Sequence, residues 1–534
     1  MILTILCAVL LIVSYVALAM SLRRDLTMFQ QNSYRPSRYR HWMSESGEST
    51  SGWRLGSMII FLFAVTKFCP PKLGMIAVAV YSVLLIVSLA RRKYKKPLAM
   101  TARARRIYVT ACALSALFAG VVCWICYGTH DLAYMFYRGA WLLCGIMACS
   151  YTIVAANFLL KPVENRITRK YYLDAQSRLE SMPDLKIVGV TGSYGKTTTK
   201  HYLQRILSEK YETLMTPGSY NTTLGVVRTI REFLKPYHEV FVVEMGAKQR
   251  GDIKEICDLV HPRWGIVTAV GPQHLESFKT IENVRDTKFE LVDALPSDGV
   301  AVLNDDFPMI EGRAVEGKEA LRYVVKNVDD KQASYRAEDV RYSRSGTHFA
   351  IVCPDGKRLE LSTRLVGECN ISNILAAVAM ARTLGVEDEK IVYAVERLEQ
   401  VEHRLSVKKV PGGMTIIDDA FNSNPVGSAM ALDVLAAMTP GKRILVTPGM
   451  IELGSEQYQL NKRFGEKAAS CCDVAIVVGH YNREAICKGL DLGHMDPAAI
   501  KQVDTFAQAQ EVLRSIAAPG DTVLYENDLP DTFK

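Results

Sequence analysis

Residues 191–199 read Thr-Gly-Ser-Tyr-Gly-Lys-Thr-Thr-Thr, side-chain types at a spacing that suits one task, the holding of a phosphate chain. Gly192 and Gly195 allow the tight turns that aim backbone N–H groups and a helix N-terminus at an anion. Lys196 is placed to reach the outer phosphates, and Thr197 offers a hydroxyl to Mg²⁺. With Ser193, Tyr194 and Thr198 they make a candidate ATP site.

Such a cradle works only between a strand and a helix. The apolar run Ile187–Val190 precedes the loop and the helix-like stretch Lys200–Leu207 follows it. From about Lys186, Val/Ile-rich runs at Lys186–Val190, Val240–Glu244, Trp264–Val270 and Val300–Asn304 alternate with amphipathic stretches, which predicts a parallel, doubly wound sheet. Residues 335–364 alternate polar and apolar around Asp355-Gly356, the pattern of an antiparallel hairpin at the sheet's edge. A second α/β run has strands expected at Met414–Ile417, Arg443–Thr447, Val474–Val478 and Thr522–Tyr525.

Ahead of these domains the composition changes. The net charge of the 534 residues is +8, but residues 1–170 hold 21 Lys and Arg against 5 Asp and Glu, and the rest hold 43 against 51. The basic excess therefore belongs to the first third of the chain and gives no ground for nucleic-acid binding. Seven of the 13 cysteines lie before residue 150 in mostly apolar segments, and the other six show no paired spacing of the secreted or zinc-ribbon kind, as in a reducing cytoplasm. Cys123 and Cys126 form a C-x-x-C within an apolar run and read as small buried hydrophobes.

Five apolar stretches, Ile2–Met20, Leu55–Cys69, Leu73–Ala90, Ile107–Tyr127 and about Leu132–Leu160, are candidate spans. The second and third would form a hairpin turning at Pro70-Pro71. Basic clusters fall at 22–54 (Arg23, Arg24, Arg35, Arg38, Arg40, Arg54), at 91–106 and at 161–170. The positive-inside rule puts all three in the cytoplasm and the N-terminus outside. A cleavable signal peptide is the alternative for the first stretch. The basic loops are either orientation signals alone or also contacts to anionic headgroups. The expected fold is an N-terminal α-helical transmembrane bundle (1–170), a linker (171–185) and two mostly parallel α/β domains (186–399 and 400–534).

One set of blocks is more specific. Thr191–Thr199, Ser219-Tyr220-Asn221, Glu244-Met245-Gly246-Ala247, Gly271–Phe278, Asp286–Glu290, Gly367–Asn373, Glu402-His403-Arg404-Leu405, Asp418–Pro425 and Gly449–Gly454 resemble, in order and rough spacing, the Mur ligase family. Within it they are most similar to the branch that adds D-alanyl-D-alanine to the UDP-linked muramoyl tripeptide. The resemblance covers residues 186 to about 520. It implies a central P-loop ATPase domain, a Rossmann-like C-terminal domain, and ATP-driven amide formation through an acyl phosphate.

Carried over by motif, Thr197, Glu244 and His274 resemble the family's Mg²⁺ ligands. Lys288 stands where these ligases carry a carbamylated lysine for a second Mg²⁺; an unmodified lysine paired with Glu290 is the alternative. Asn304, Asn370 and Asn373 match positions near the nucleotide, although Asn370 and Asn373 also suit helix capping. Arg404 and Asp419 resemble the pair that closes over the ATP phosphates and ribose, which implies a lid. Lys196, Lys288, His274 and Arg404 are the candidate catalytic groups.

The resemblance breaks at both ends. Membrane spans stand where the family has a uridine-diphosphate-binding domain, and Glu526-Asn527-Asp528-Leu529-Pro530-Asp531 replaces a Lys-Gly-Ser-Arg-Gly-like segment. That acidic tail is either a solvated chain end or a site for a cationic nucleophile or partner. The expectation is a multi-pass, membrane-anchored amide ligase with cytoplasmic catalytic domains, acting on a lipid-linked cell-envelope precursor and taking an amino acid or dipeptide as amine donor. Membrane lipids would be its surroundings. The alternatives are a ligase for UDP-linked muramoyl tripeptide, a surface polyglutamate-type ligase, and a non-catalytic membrane scaffold.

Overall fold

The computed structural model describes all residues except 1, 66–69, 95, 126–140, 143, 327–332, 344, 345, 411, 421, 422, 439 and 529–534. Cys126, the start of the fifth apolar stretch, Phe421-Asn422 and the end of the acidic tail thus lie outside the described residues. The chain divides into two compact units, Met1–Thr168 and Arg169–Asp528 among the described residues.

The first unit is helical: α1 (Ile2–Gln31), α2 (Pro36–Glu45), α3 (Gly52–Val65), α4 (Pro71–Arg91), α5 (Ala102–Ile125) and the first part of α6 (Cys149–Glu180). Leu18, Leu22, Leu26, Phe29, Val78, Leu85, Ile107 and Ile153 are among the side chains of its core. The α3–α4 packing is close because Gly56 has no Cβ, which would lie 2.9 Å from the Tyr81 ring. Among the described residues, two helices are long and apolar enough to cross a membrane, Lys72–Arg91 and Ala102–Val121. They coincide with the third and fourth expected spans. The first expected span lies in α1, which runs on through Arg23, Arg24 and Asp25. The second falls on the 14-residue α3. Two of the arginines read as loop charges are buried: Arg54 makes a two-pronged ion pair with Asp25, at 2.9 and 2.8 Å, and Arg24 pairs with Asp25 and Glu48.

The second unit holds two sheets. Nine strands among the described residues, β1 (Lys186–Thr191), β2 (Thr213–Met215), β3 (Val240–Glu244), β4 (Trp264–Val267), β5 (Val300–Asn304), β6 (Glu319–Val324), β7 (Tyr335–Ser343), β8 (Gly346–Val352) and β9 (Arg358–Thr363), form a sheet in the order β2-β3-β1-β4-β5-β6-β7-β8-β9. It is parallel from β2 through β7, and β7, β8 and β9 pair antiparallel, so the expected edge hairpin is a three-stranded meander. One face packs under Leu203, Ile206, Ile374, Leu375 and Val378, the other under Val226, Ile230, Ile256, Phe289 and Val292. Helices cover both faces, and each fully buried Val, Ile or Leu contributes about 1.5–3 kcal/mol. Strands buried on both sides read as continuous apolar runs, which is why they were legible.

The second sheet comprises β10 (Ser406–Lys409), β11 (Thr415–Asp419), β12 (Arg443–Thr447), β13 (Val474–Val478), β14 (Ile500–Val503) and β15 (Thr522–Glu526), in the order β10-β11-β15-β12-β13-β14. Only β10 runs antiparallel. Two α/β domains with mostly parallel sheets are therefore present. Strands β10 and β14 escaped the sequence reading because they are short and partly polar. Glu526, expected in the acidic tail, instead ends β15 and is 1% exposed. It is no part of a solvated chain end.

Candidate active site

The carboxyl ends of β3, β1, β4 and β5 lie side by side, with Val190 opposite Glu244, Thr191 opposite Val267, and Val267 opposite Leu303. Ligands of parallel α/β sheets bind at this edge. The glycine loop leaves β1 there, and the helix Lys196–Leu207 starts at its end. Strand β4 stops at Val267, short of the expected Val270, because the next residues are recruited by that loop. Ser193 N–H donates to Ala269 O (2.7 Å), and Gly271 N–H donates to Ser193 Oγ (3.2 Å). The Tyr194 hydroxyl donates to Pro272 O (3.3 Å), and burial raises its pKa.

Both loop glycines are sterically required. A Cβ on Gly195, at φ +77°, would lie 2.4 Å from Asn373 Oδ1, and one on Gly192 2.1 Å from Thr268 Oγ1. Lys196 Nζ folds back onto Gly192 O (2.6 Å) and Ser193 O (3.2 Å). Burial lowers its pKa to about 8; Glu244 opposes the shift and Arg404 adds to it. Thr198 is buried in the first turn of the helix.

Glu244 joins three segments. Its Oε1 accepts from Thr197 Oγ1 (3.2 Å) and Asn221 Nδ2 (3.0 Å), and its Oε2 accepts from Lys200 Nζ (3.0 Å). Burial works to raise the Glu244 pKa, but Lys200, Lys196 and the hydrogen bonds outweigh it and hold the carboxylate ionised. Lys200 also donates to Thr216 O (2.8 Å) and Gly218 O (2.7 Å), which uses all three of its protons. Sequence reasoning missed Lys200, since a lysine following a helix start reads as a surface residue.

Lys288 is 2% exposed. Its pKa is well below the ordinary lysine value because of burial, with Lys196 adding to the shift and Glu290 and Asp252 opposing it. Glu290 is not its ion-pair partner. The Glu290 carboxylate instead accepts from Gly251 N–H (2.7 Å) and Lys254 N–H (2.9 Å), capping the helix Asp252–Val260. His274 Nδ1 is hydrogen-bonded to Glu452, a residue of the second sheet's loop to which the sequence had assigned no role. Burial lowers the His274 pKa against the pull of Glu452.

Burial lowers the Arg404 pKa against the pull of Asp419 and Glu244, and Arg404 in turn helps lower that of Lys196 in the glycine loop. Asp419 stands opposite Glu526 in the β11–β15 register, and its Oδ1 accepts from Leu405 N–H (3.0 Å). Burial raises the pKa of both carboxyls; Asp419 pushes that of Glu526 further up, while the Leu405 N–H, Arg404 and the hydrogen bond with Glu526 restrain that of Asp419. The three candidate asparagines sit behind the loop. Asn304 donates to Thr268 O (2.8 Å) and Ser372 Oγ (3.1 Å), Asn370 accepts from Tyr202 Oη (2.7 Å), and Asn373 accepts from Thr199 Oγ1 (3.0 Å). Their amides are engaged with protein groups, Asn370 within the first turn of its helix, where it also donates to Val366 O (2.8 Å).

The residues fit Mg-ATP. The glycines open a cradle that a Cβ would fill, and Thr197 and Glu244 present two hard oxygen donors together. Mg²⁺ commonly takes one or two protein oxygens and completes its shell with phosphate and water. No group of three or more His, Cys, Asp or Glu that could hold a metal occurs among the described residues.

Comparison with known proteins agrees with this geometry. Residues 190–381 match the Mur ligase middle domain, and residues 403–525 match the Mur ligase glutamate ligase domain. The chain is 31% identical over 296 residues to the UDP-N-acetylmuramoyl-tripeptide–D-alanyl-D-alanine ligase of Escherichia coli (strain K12), covering 55% of this chain and 64% of that ligase's length. It is 31% identical over 363 residues to the enzyme of that name from Mycobacterium tuberculosis (strain H37Rv), covering 64% of this chain and 70% of that one. Among solved structures it is similar to MurF from Acinetobacter baumannii, with a TM-score of 0.59 at 27% identity over 66% of this chain and 76% of that one. It is likewise similar to MurF ligase from Thermotoga maritima in complex with ADP, with a TM-score of 0.59 at 26% identity over 67% and 80%. With both domains matched in order and 70% of a relative covered at 31% identity, the chain belongs to the Mur ligase family.

Proposed function

We propose that the chain is an ATP-dependent amide ligase of the MurF type, joining the amine of D-alanyl-D-alanine or a related dipeptide to the carboxylate of a UDP-linked muramoyl tripeptide. The observation that carries this is the convergence of Lys196, Thr197 and Glu244 at the carboxyl edge of the central sheet, with Arg404 in electrostatic reach of them. A carboxylate oxygen attacks the γ-phosphorus and ADP leaves; the amine nitrogen then attacks the acyl carbon, phosphate departs, and the amine loses a proton. Lys196 and Arg404 offset the charge that builds as carboxylate and triphosphate approach. Thr197 and Glu244 would hold a Mg²⁺, with His274 the motif's candidate for a further ligand, and the ion would supply additional neutralisation. Asp419, which attracts Arg404 electrostatically, would help hold that guanidinium for the phosphates.

Lys288 suits a carbamate. Burial keeps a fraction of its amine uncharged, and that amine adds to CO₂ with loss of a proton, turning a cation into an anionic oxygen ligand. The test of the whole reading is incubation of the purified full-length protein with Mg-ATP, UDP-linked muramoyl tripeptide and D-alanyl-D-alanine. Phosphate release that requires both substrates, with a product of the summed mass less water, is expected; no release with either dipeptide or amino-acid donors overturns it.

A second reading has a specific observation behind it. Among the described residues, two helices meet the length and hydropathy needed to cross a membrane, and Leu84, Leu117 and Phe158 of the first unit are 62%, 66% and 72% exposed. A multi-pass membrane protein with cytoplasmic catalytic domains and an external N-terminus would meet a lipid-linked precursor at raised effective concentration. Supplying lipid-linked and UDP-linked muramoyl peptides in parallel decides between the two acceptors. A fragment from about residue 171 that ligates the UDP-linked acceptor as fast as the full chain rules out the lipid-linked one.

A further inference from the structure

We infer that Glu452 is a positioning residue for His274: through its hydrogen bond to Nδ1, it turns the imidazole so that Nε2 is the nitrogen presented to the nucleotide site. The inference rests on the ligase reading above. His274 comes from the loop after β4, Glu452 from the loop after β12, and the two lie 178 residues apart in the chain. The contact is built from both sides. Glu276 N–H donates to Glu452 O (3.4 Å), Lys248 Nζ lies 3.8 Å from Glu452 Oε1, and a Cβ on Gly454 would lie 3.2 Å from Glu276 N. His274 and Glu452 both adopt left-handed backbone, at φ +53° and +62°. L-residues keep that conformation only where their surroundings impose it.

The loop that carries Glu452 is held by three amide side chains. Met450 O accepts from Asn461 Nδ2 (3.1 Å), Asn482 Nδ2 (2.9 Å) and Gln457 Nε2, Met450 N–H donates to Asn461 Oδ1 (2.8 Å), and Leu453 N–H donates to Gln457 Oε1 (3.1 Å). Glu452 is therefore a fixed group. A carboxylate on one imidazole nitrogen selects the tautomer with the proton there and leaves the lone pair on the other, the arrangement by which outer groups orient metal-ligating histidines. Because Glu452 lies on a loop of the second sheet, His274 has this orientation only with the two sheets apposed as they are here.

The test compares full-length wild type, Glu452→Ala and Glu452→Gln. Long-range ¹H–¹⁵N correlation of histidine-labelled protein, without nucleotide or metal, reports the His274 tautomer. The Mg²⁺ concentration for half-maximal ADP formation reports the ligand site. The wild type is expected to carry its proton on Nδ1. Glu452→Ala should show a tautomer mixture and a Mg²⁺ requirement raised about 10–100-fold. Glu452→Gln keeps an acceptor oxygen and should stay close to wild type, which separates positioning from loss of fold. An unchanged tautomer in Glu452→Ala, an unchanged Mg²⁺ requirement, or a Gln variant as impaired as Ala overturns the inference. Lys196→Ala serves as the control: full turnover in that variant removes the ligase reading instead, while the tautomer measurement needs no turnover.

Discussion

Lys200 Nζ lies 3.0 Å from Glu244 Oε2, and the two side chains are 0% and 1% exposed. The pair ties the first turns of the nucleotide-loop helix to the end of β3, while the other two Lys200 protons hold the backbone at 216–218. Glu244 is thereby left with its Oε1 facing Thr197 and Asn221.

Removing one partner of a buried pair leaves an uncompensated charge, which typically costs about 3–5 kcal/mol. Lys200→Met should therefore lower the thermal midpoint strongly, and Lys200→Met/Glu244→Gln should recover much of the loss. Calorimetry of the two single variants and the double variant measures the coupling. Simple additivity would show that the pair contributes nothing.

Lys196 gives the site a pH dependence. Its folded-state pKa, about 8, lies below the ordinary 10.5, so between these values the folded state binds fewer protons than the unfolded one. This group alone makes stability rise with pH across that window. Function moves the opposite way, because the ammonium is lost above about pH 8. The kcat/KM for ATP, which reports the free enzyme, should fall above about pH 8, and Lys196→Ala should lower it by about 10²-fold or more. A flat profile from pH 7 to 9.5 would contradict the assignment.

Gly195→Ala should bind nucleotide at least about tenfold more weakly, a loss of about 1.4 kcal/mol, since the new methyl meets Asn373 Oδ1 in a backbone region that favours glycine. Gly251→Ala is a suitable control, with φ +88° but open space around its Cβ position. Titration calorimetry with ADP distinguishes the two: equal losses would assign the effect to backbone strain alone.

Lys288→Ala should be inactive and regain part of its turnover with a short carboxylic acid that replaces the carbamate oxygens. In the wild type, a ¹³C resonance from added ¹³CO₂ should report the carbamate and vanish in the variant. Normal turnover of Lys288→Ala would remove Lys288 from the candidate site.

Features set by neighbours in the chain were legible from the residues alone. The loop at 191–199 depends on local turn chemistry, and the strands Lys186–Thr191, Val240–Glu244, Arg443–Thr447 and Val474–Val478 on unbroken apolar runs, so their positions and the two-sheet organisation could be read directly. Shorter, partly polar strands such as Ser406–Lys409 carry no such signal, and the end of β4 at Val267 is decided by hydrogen bonds to the glycine loop.

What only the tertiary structure decided is where the charged side chains find partners. Lys200 meets Glu244 across 44 residues and His274 meets Glu452 across 178. Arg54 is buried against Asp25 and Glu526 beside Asp419, where the sequence suggested loop charges and either a solvated tail or a site for a cationic partner. A charged residue in sequence looks the same in water or in a core. Its environment is set by which strand ends and loops the sheet order brings together, because a buried charge persists only where distant residues supply its counter-charge and hydrogen bonds.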